Sequence, residues 1–155
     1  MTRSATSPEP YGYRRDRAVP AFDDAFPIIM FDGECVLCSR FVRFVLRRDR
    51  RGRMRFLAAQ SPLGEALYRH LGLTIGAYET YVLLENGHAR VKSDAALRIF
   101  ALLGFPWHLL TIGAIAPRAW RDWLYDLVAR NRYKWFGARD TCYVPTAAEA
   151  ERFIA

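Results

Sequence analysis

The sequence predicts an α/β domain, in which a mixed sheet of four strands is flanked by helices and an additional helical segment follows at the C-terminal end. Two patterns in the chain predict this class. Short apolar runs of strand length alternate with segments of helical period, and an Asn-Gly pair lies between two further apolar runs. The chain has 155 residues, of which 52% are hydrophobic and 25% are charged. These values fit one globular domain and exclude a largely disordered chain.

The first strand and helix are predicted from the segment that contains two of the three cysteines. Residues 26–31 (FPIIMF) form an apolar run of strand length that is followed by Asp32-Gly33. A helix is predicted from about Cys35 to Arg48. Its apolar residues recur with helical period, at Leu37, Phe41, Phe44 and Val45.

A second strand and helix follow in the same order. The strand is predicted over residues 54–58 (MRFLA). Ser61 followed by Pro62 is typical of a helix N-terminus, so a helix is predicted to about Leu71. A strand–helix–strand unit joins parallel strands through a right-handed crossover. We therefore expect the first two strands to be parallel neighbours.

A β-hairpin completes the predicted sheet. Residues 86–87 (Asn-Gly) lie between the apolar runs 80–84 and 88–91, which is a strong signal for a tight hairpin turn. The hairpin adds antiparallel strands, so the sheet is mixed. Ser93 is predicted to cap a helix that continues to about Leu103.

The composition divides the chain into three parts. Residues 1–25 contain charges and prolines but no continuous apolar run. We therefore predict a flexible N-terminal extension without a secretory signal, and a cytoplasmic location. Residues 26–104 form the predicted core domain, and residues 105–155 form a helical segment packed on it.

An unusually apolar stretch joins the core domain to the C-terminal segment. Residues 99–117 contain no Asp, Glu, Lys or Arg, and their length just reaches that of a membrane span. Glycines, a proline and a histidine interrupt the stretch, so we predict a buried or partner-facing helical hairpin instead. Residues 120–128 have the pattern of an amphipathic helix. We expect the many aromatic residues of this end to lie in the core or to cover the sheet.

The candidate chemistry lies in Cys35-Val36-Leu37-Cys38, at the junction of the first strand and the first helix. The free N–H groups and the positive end of the helix dipole favour thiolate over thiol at such a position. We expect Cys35 to be the more exposed, attacking sulfur and Cys38 to be the resolving sulfur. Asp32 is expected to accept N–H bonds at the helix start, to take up a proton from the resolving thiol, or to serve only in the Asp-Gly turn.

These residues resemble the motif of a known family. The pattern D-x-x-C-x-x-C, at Asp32, Cys35 and Cys38 after an apolar strand, is similar to that of the DCC family of predicted thiol-disulfide oxidoreductases, also known as the domain of unknown function 393. The resemblance extends from about residue 28 to residue 145. A second block near the C-terminus strengthens it, with Arg132-Tyr133, Phe136-Gly137, Arg139-Asp140, Cys142 and Pro145.

The resemblance implies a thioredoxin-like fold and thiol–disulfide exchange through Cys35 and Cys38, with Asp32 in support. It implies a supporting role for three residues of the C-terminal motif, Arg139, Asp140 and Cys142. No bound cofactor or metal is expected, and the electron partner is expected to be another thiol or disulfide protein or a small thiol. The sequence departs from thioredoxin-type enzymes at residues 77–80, which contain no proline where those enzymes have a cis-proline before the third strand.

A different class of function stays open beside this one. The cysteines would then be structural or would bind zinc, in a set of Cys35, Cys38, Cys142 and one of His70, His88 or His108. The chain would be a non-catalytic binding module that uses basic and apolar surfaces to bind a membrane or a protein partner.

A cluster of arginines is the main basic feature. Residues 40–55 contain eight Arg and one Asp, a charge of +7 (8 − 1), and the whole chain also carries +7. We favour a solvated helix face over nucleic-acid binding, because exposed aromatic residues do not alternate with these arginines. Association with an anionic membrane is an alternative that the sequence does not favour.

Overall fold

The computed structural model of the chain describes residues 9–73, 75–76, 81–138 and 144–154. The strands in these ranges are β1 (Ile28–Phe31), β2 (Arg55–Ala58), β3 (Val82–Glu85) and β4 (His88–Val91). The α-helices are α1 (Val36–Arg48), α2 (Pro62–His70), α3 (Lys92–Leu103) and α4 (Arg118–Phe136). Shorter 3₁₀ helices lie at Gly12–Arg15, Trp107–Ile115 and Ala150–Arg152.

The strands form one mixed sheet in the order β2-β1-β3-β4. β1 and β2 are parallel, with Ile29 opposite Phe56, as expected for a strand–helix–strand crossover. β3 pairs antiparallel with both β1 and β4, and Asn86 and Gly87 form the hairpin turn with φ angles of 50° and 78°. The predicted α/β class and mixed sheet are confirmed, and the arrangement is consistent with a thioredoxin-like fold.

The core lies on both faces of the sheet. Successive side chains of β1 point to opposite faces, and all four are buried. Ile28 and Met30 belong to the core cluster on the α2 face, whereas Ile29 and Phe31 belong to the cluster that includes residues of α1 and α3. Because both faces of the sheet are covered, β1 is apolar at every position.

Helix α1 begins where the sequence predicts, but its most buried face is rotated from the predicted stripe. Cys38, Val42 and Val45 are among the side chains that it buries. Phe41 and Phe44 are only half-buried, and their rings make edge contacts with Phe100 of α3, with centroids 6.0 and 6.5 Å apart. The two phenylalanines therefore connect α1 with α3 at the margin of the core.

Residues 9–25 pack on the domain in the structure, and the flexibility of the N-terminal extension stays a prediction. Tyr13 is buried in the core cluster on the α2 face, and its hydroxyl donates to Asp24 Oδ2 at 2.7 Å. The Tyr11 N–H donates to the Gly87 carbonyl at 3.1 Å. The tyrosines supply apolar surface that outweighs the polar composition of the segment.

The apolar stretch 99–117 does not fold as a buried helical hairpin. It consists of the end of α3 and the 3₁₀ helix Trp107–Ile115, in which no residue is buried. Among the helices that the structure describes, none has both the length and the apolarity needed to cross a membrane. Ser93 also does not cap α3, because the helix begins at Lys92; its hydroxyl donates to Asp122 of α4 instead.

The aromatic residues of α4 lie largely outside the core, so the prediction that they would form core or cover the sheet is wrong. Trp120 and Trp123 are 72% and 67% exposed, and Trp135 and Phe136 are also exposed. Hydrogen bonds and ion pairs between polar side chains join α4 to α3 instead. Helical period identifies an apolar stripe, but it does not determine which side of the helix faces the domain.

The last described residues return to the outer strand of the sheet. Phe153 forms a parallel bridge with Phe56 of β2, and the two rings stack with centroids 5.4 Å apart. The Ile154 N–H donates to the Phe56 carbonyl at 2.8 Å. This segment therefore covers the edge of the sheet at β2.

Candidate active site

The two predicted cysteines lie at the junction of β1 and α1. Cys35 is the N-cap residue of α1, with extended backbone angles of φ −80° and ψ 123°. Its sulfur accepts the backbone N–H of Cys38 at 3.4 Å, and its carbonyl accepts the Ser39 N–H at 3.0 Å. Cys35 therefore takes the place that Ser, Thr or Asp usually takes at a helix start, with sulfur as the capping acceptor.

Both cysteines are free and buried, which contradicts the expectation of an exposed Cys35. Cys35 is 0% exposed and Cys38 is 5% exposed. The backbone of Cys35 forms an antiparallel bridge with Ala138, which follows the end of α4. Position at the N-terminus of a helix therefore did not make Cys35 accessible, and a distant part of the chain pairs with its backbone.

The surroundings of the two thiols lower the pKa of Cys35 and raise the pKa of Cys38. A hydrogen bond from the Cys38 thiol lowers the pKa of Cys35 from 9.0 to about 7, helped by the Cys38 N–H and the Arg132 charge, although burial opposes the shift. The pKa of Cys38 is raised, because its thiol donates to Cys35 and because it is buried. Cys35 is therefore the first of the two thiols to ionise, and a substantial fraction of it is thiolate near neutral pH, whereas Cys38 keeps its proton.

Asp32 is buried at the end of β1, where its carboxylate accepts four hydrogen bonds. Oδ1 accepts the Glu34 N–H at 3.0 Å and Gln60 Nε2 at 2.5 Å. Oδ2 accepts Arg132 Nη2 at 3.0 Å and the Tyr133 hydroxyl. The expected N–H bond near the helix start is present, but most of the contacts come from distant parts of the chain.

Helix α4 brings a positive charge to this carboxylate. Arg132 lies in the last turns of α4 and forms an ion pair with Asp32 in which the side chains are 4% and 0% exposed. The next residue, Tyr133, donates to the same carboxylate oxygen, and the Arg132 guanidinium lies 4.8 Å from the centre of its ring. Two consecutive residues of α4 therefore anchor the C-terminal part of the chain beside the cysteines.

Gln60 and Tyr81 complete the surroundings of the site. The Gln60 side chain donates to Asp32 and accepts the Gly33 N–H at 3.0 Å, so it fixes the loop between β1 and α1. The Tyr81 hydroxyl interacts with the Cys38 sulfur, and burial raises the pKa of that hydroxyl. The Tyr81 N–H donates to the Tyr125 hydroxyl of α4 at 2.8 Å.

Sequence reasoning did not identify these surrounding groups as parts of the site. Arg132 and Tyr133 were noted only as residues of the C-terminal motif. That motif was the signal that could have assigned them to the site. Gln60 and Tyr81 are single polar residues next to predicted elements, and nothing in their spacing indicates contact with a cysteine.

The three predicted site residues of the C-terminal motif do not fall in the described ranges. Arg139, Asp140 and Cys142 lie outside the described residues, as do positions 77–80, where the proline is absent. Among the residues that the structure does describe, no group of three or more His, Cys, Asp or Glu side chains is placed to hold a metal ion.

The comparisons with known proteins agree with the position of this site. The family model described as DCC1-like thiol-disulfide oxidoreductase matches residues 29–138, from β1 to the residue that pairs with Cys35. The chain belongs to this family.

Two relatives of this DCC1-like protein support the assignment. It is 36% identical over 127 residues to the uncharacterized protein YuxK of Bacillus subtilis, a match that covers 82% of this chain and 93% of the relative. It is 40% identical over 121 residues to a DCC family protein of Arabidopsis thaliana that is named as chloroplastic, covering 77% of this chain and 70% of the relative. No solved structure gives a significant match to the chain.

Proposed function

We propose that this chain catalyses thiol–disulfide exchange through Cys35 and Cys38. The observation that carries the proposal is the place of Cys35 as the N-cap of α1, where its sulfur accepts the Cys38 N–H at 3.4 Å. A sulfur that accepts hydrogen bonds at a helix N-terminus is stabilised as thiolate, the form that attacks a disulfide. The description of the family supports the same class of reaction.

The proposed reaction has two steps. The Cys35 thiolate attacks one sulfur of a partner disulfide, so that a Cys35–partner bond forms and the second partner sulfur leaves as a thiolate. Cys38 then loses its proton and attacks Cys35, which forms the Cys35–Cys38 disulfide and releases the remaining partner sulfur. The partner gains two electrons and the chain loses two, and another thiol protein or a small thiol returns them.

The hydrogen bond between the thiols explains the order of these steps. Cys38 holds its proton while Cys35 is a thiolate, because the Cys38 thiol donates to that sulfur. Once Cys35 is part of a mixed disulfide, its negative charge is gone and the largest cause of the raised Cys38 pKa is removed. Cys38 therefore ionises more readily when its attack is needed.

Asp32 acts in this proposal as a support for the site. A carboxylate has about four acceptor positions, and its two oxygens here accept from Glu34, Gln60, Arg132 and Tyr133. These bonds hold Arg132 near the cysteines, where its charge favours the Cys35 thiolate. We therefore assign Asp32 to this support, rather than to the uptake of the Cys38 proton.

The burial of Cys35 sets a condition on the reaction. Its sulfur has no exposed surface in the closed arrangement, and its backbone is bridged to Ala138. Attack on a partner disulfide requires a straight approach to the sulfur, so the groups that cover Cys35 must move apart during exchange. The bridge to Ala138 places the end of α4 next to this position.

A trapping experiment tests the proposal. The Cys38→Ser variant should capture a mixed disulfide through Cys35 when it is incubated with glutathione disulfide, and mass spectrometry should locate the adduct on the Cys35 peptide. The wild type should instead end in a Cys35–Cys38 disulfide, seen as the loss of two hydrogens and reversed by dithiothreitol.

Two controls make the result specific. Cys35→Ser should form far less adduct at Cys38 than Cys38→Ser forms at Cys35, because burial still raises the pKa of the Cys38 thiol when the Cys35 sulfur is absent. If Cys38→Ser forms no adduct while it remains folded, exchange through Cys35 is excluded. If tightly held zinc protects both cysteines from alkylation, they are structural and the chain is a binding module.

The cytoplasmic location expected from the sequence is part of the same proposal, since a catalytic cysteine pair there is kept reduced by cellular thiols. Cell fractionation tests it. Recovery of the chain from an oxidising compartment would contradict it.

A further inference from the structure

The region between α3 and α4 exposes an unusual amount of apolar surface. Phe105 and Ile115 are 79% and 84% exposed, and Ile112 is 62% exposed. Leu109 and Leu110 are also exposed, on the 3₁₀ helix Trp107–Ile115. Single exposed apolar residues are common on protein surfaces. A series of them on one short element indicates a surface that a binding partner covers.

The apolar surface continues onto α4. Trp120, Trp123 and Leu124 are more than half exposed and follow each other at helical spacing. They line a groove of about 590 Å³ together with Ala116, which directly follows the 3₁₀ helix. We use the term apolar surface for Phe105 and the exposed residues of the 3₁₀ helix together with these three residues of α4.

Arginines border the apolar surface at its Phe105 end. Arg48, Arg50, Arg51 and Arg53 line a pocket of about 520 Å³ whose other wall includes Phe105 and Trp107. The Arg48 guanidinium lies 5.2 Å from the centre of a Trp107 ring. The pocket therefore places several positive charges directly beside exposed apolar side chains.

Several arginines elsewhere in the protein pair with carboxylates. Arg98 pairs with Glu85 at 2.8 Å, and Arg121 pairs with Asp94 at 3.1 Å. Within the described ranges, the structure gives no ion pair to a carboxylate for the four arginines of the pocket. The Asp49 carboxylate in their midst pairs with Arg152 and accepts the Met54 N–H at 2.9 Å. Their positive charge is therefore left to act on a binding partner.

We propose that the apolar surface and the four arginines dock the protein on an anionic lipid bilayer. Apolar and tryptophan side chains enter the headgroup region, while arginines extend their charged ends to lipid phosphates. The net charge of +7 argues against a second copy as the occupant, because two positively charged copies repel each other, whereas an anionic bilayer attracts the protein. The proposal does not rest on the chemistry of Cys35.

Vesicle flotation tests the docking. Full-length protein should bind vesicles of phosphatidylcholine with phosphatidylglycerol much more tightly than vesicles of phosphatidylcholine alone, and high salt should weaken the binding. Tryptophan fluorescence should shift to the blue on binding, because the exposed indoles leave water.

Paired variants locate the surface. Arg51→Glu should weaken binding to anionic vesicles about fivefold or more, whereas Arg90→Glu, which makes the same charge change at an exposed site on β4, should weaken it less. Phe105→Ser with Ile115→Ser should also weaken binding, whereas Val144→Ser, at a residue that is 78% exposed elsewhere, should not. Circular dichroism should show that every variant is folded.

Three results would overturn the proposal. Equal binding to neutral and anionic vesicles would exclude the role of the arginines. Equal losses in Arg51→Glu and Arg90→Glu would show that only net charge matters. A dimer in solution that Phe105→Ser with Ile115→Ser disrupts, without binding to vesicles, would show that a second copy covers the surface.

Discussion

At the scale of single residues, the ion pair between Asp32 and Arg132 determines how the candidate site is held. Burying a carboxylate costs several kcal/mol unless charged and polar partners replace the water that it loses. Asp32 receives such partners from the loop before α1, from Gln60 and from α4. The pair therefore connects the cysteines to a helix that lies 100 positions away in the chain.

The Arg132→Gln variant tests this pair. Removing the guanidinium leaves Asp32 as a buried charge without its counter-ion, so the free energy of unfolding should fall by about 3–5 kcal/mol. The pKa of Cys35 should rise, because the Arg132 charge lowers it in the wild type. Urea denaturation measures the first effect, and the pH dependence of Cys35 alkylation measures the second.

The double variant Asp32→Asn with Arg132→Gln is the matched control. It removes both charges, so it should be more stable than Arg132→Gln alone. An unchanged pKa of Cys35 in Arg132→Gln, together with no recovery in the double variant, would mean that the ion pair has no influence on the site.

The Cys38→Ala variant tests the largest cause of the lowered Cys35 pKa. The wild-type thiolate should form with a midpoint at about pH 7, so that the alkylation rate of Cys35 rises through neutral pH and levels off above it. Loss of the Cys38 thiol removes a donor to the thiolate, so the midpoint should move to higher pH. Cys38→Ser keeps a donor and should move it less; equal midpoints in all three proteins would contradict the assignment.

At the scale of elements, the sequence predicts those structural features that depend on residues close together in the chain. The strand β1, the start of α1 at Cys35, the Ser61 cap with Pro62, and the Asn86-Gly87 turn were all predicted from local patterns. In each case the residues that form the signal also make the decisive contacts. Ser61, for example, accepts the Gly64 N–H at 3.0 Å.

Contacts between distant elements could not be predicted in this way. The periodicity of α4 is the same whether Trp120 faces the core or the solvent. Only the packing of α3 against α4 determines which side of α4 is exposed. In the same way, the backbone of Cys35 pairs with Ala138, a residue far away in the chain. The place of the two cysteines at the start of α1 was therefore predictable from sequence, whereas their surroundings were not.

The approach of α2 to the end of β2 gives a prediction at this scale. A Cβ on Gly64 would lie 2.3 Å from the Ala58 carbonyl oxygen and 2.8 Å from that of Ala59. Alanine is favoured over glycine by about 1 kcal/mol within a helix. Here, however, the Cβ would meet backbone oxygen atoms, which cannot easily move away. Gly64→Ala should therefore lower the free energy of unfolding by about 1–3 kcal/mol.

Gly113→Ala is the control for this prediction, since its Cβ would meet only Leu97 Cδ2 at an ordinary 3.6 Å. Its stability should stay within about 0.5 kcal/mol of the wild type. Thermal denaturation of both variants makes the comparison. A Gly64→Ala protein as stable as Gly113→Ala would show that α2 can move away from β2 at little cost.

At the scale of the whole molecule, the C-terminal residues cover an edge of the sheet that would otherwise be open. An uncovered strand presents N–H and C=O groups to other chains. Here the Ile154 N–H bonds to β2, the Phe153 ring stacks on Phe56, and Arg152 pairs with the buried Asp49. Residues 152–154 therefore hold β2 in place and cover part of its open backbone edge.

Truncation after Glu149 tests this role. The truncated chain should lose about 2 kcal/mol or more of unfolding free energy, because Phe56 loses its stacked ring and Asp49 loses its counter-ion. It should also self-associate in size-exclusion chromatography, because the backbone of β2 becomes available for pairing. In the full chain, Phe153→Ala removes the ring but retains the Ile154 N–H bond, so it should lose stability and keep the oligomeric state of the wild type. If the truncated chain elutes at the same size as Phe153→Ala, the backbone of the last residues has no protective function at this edge.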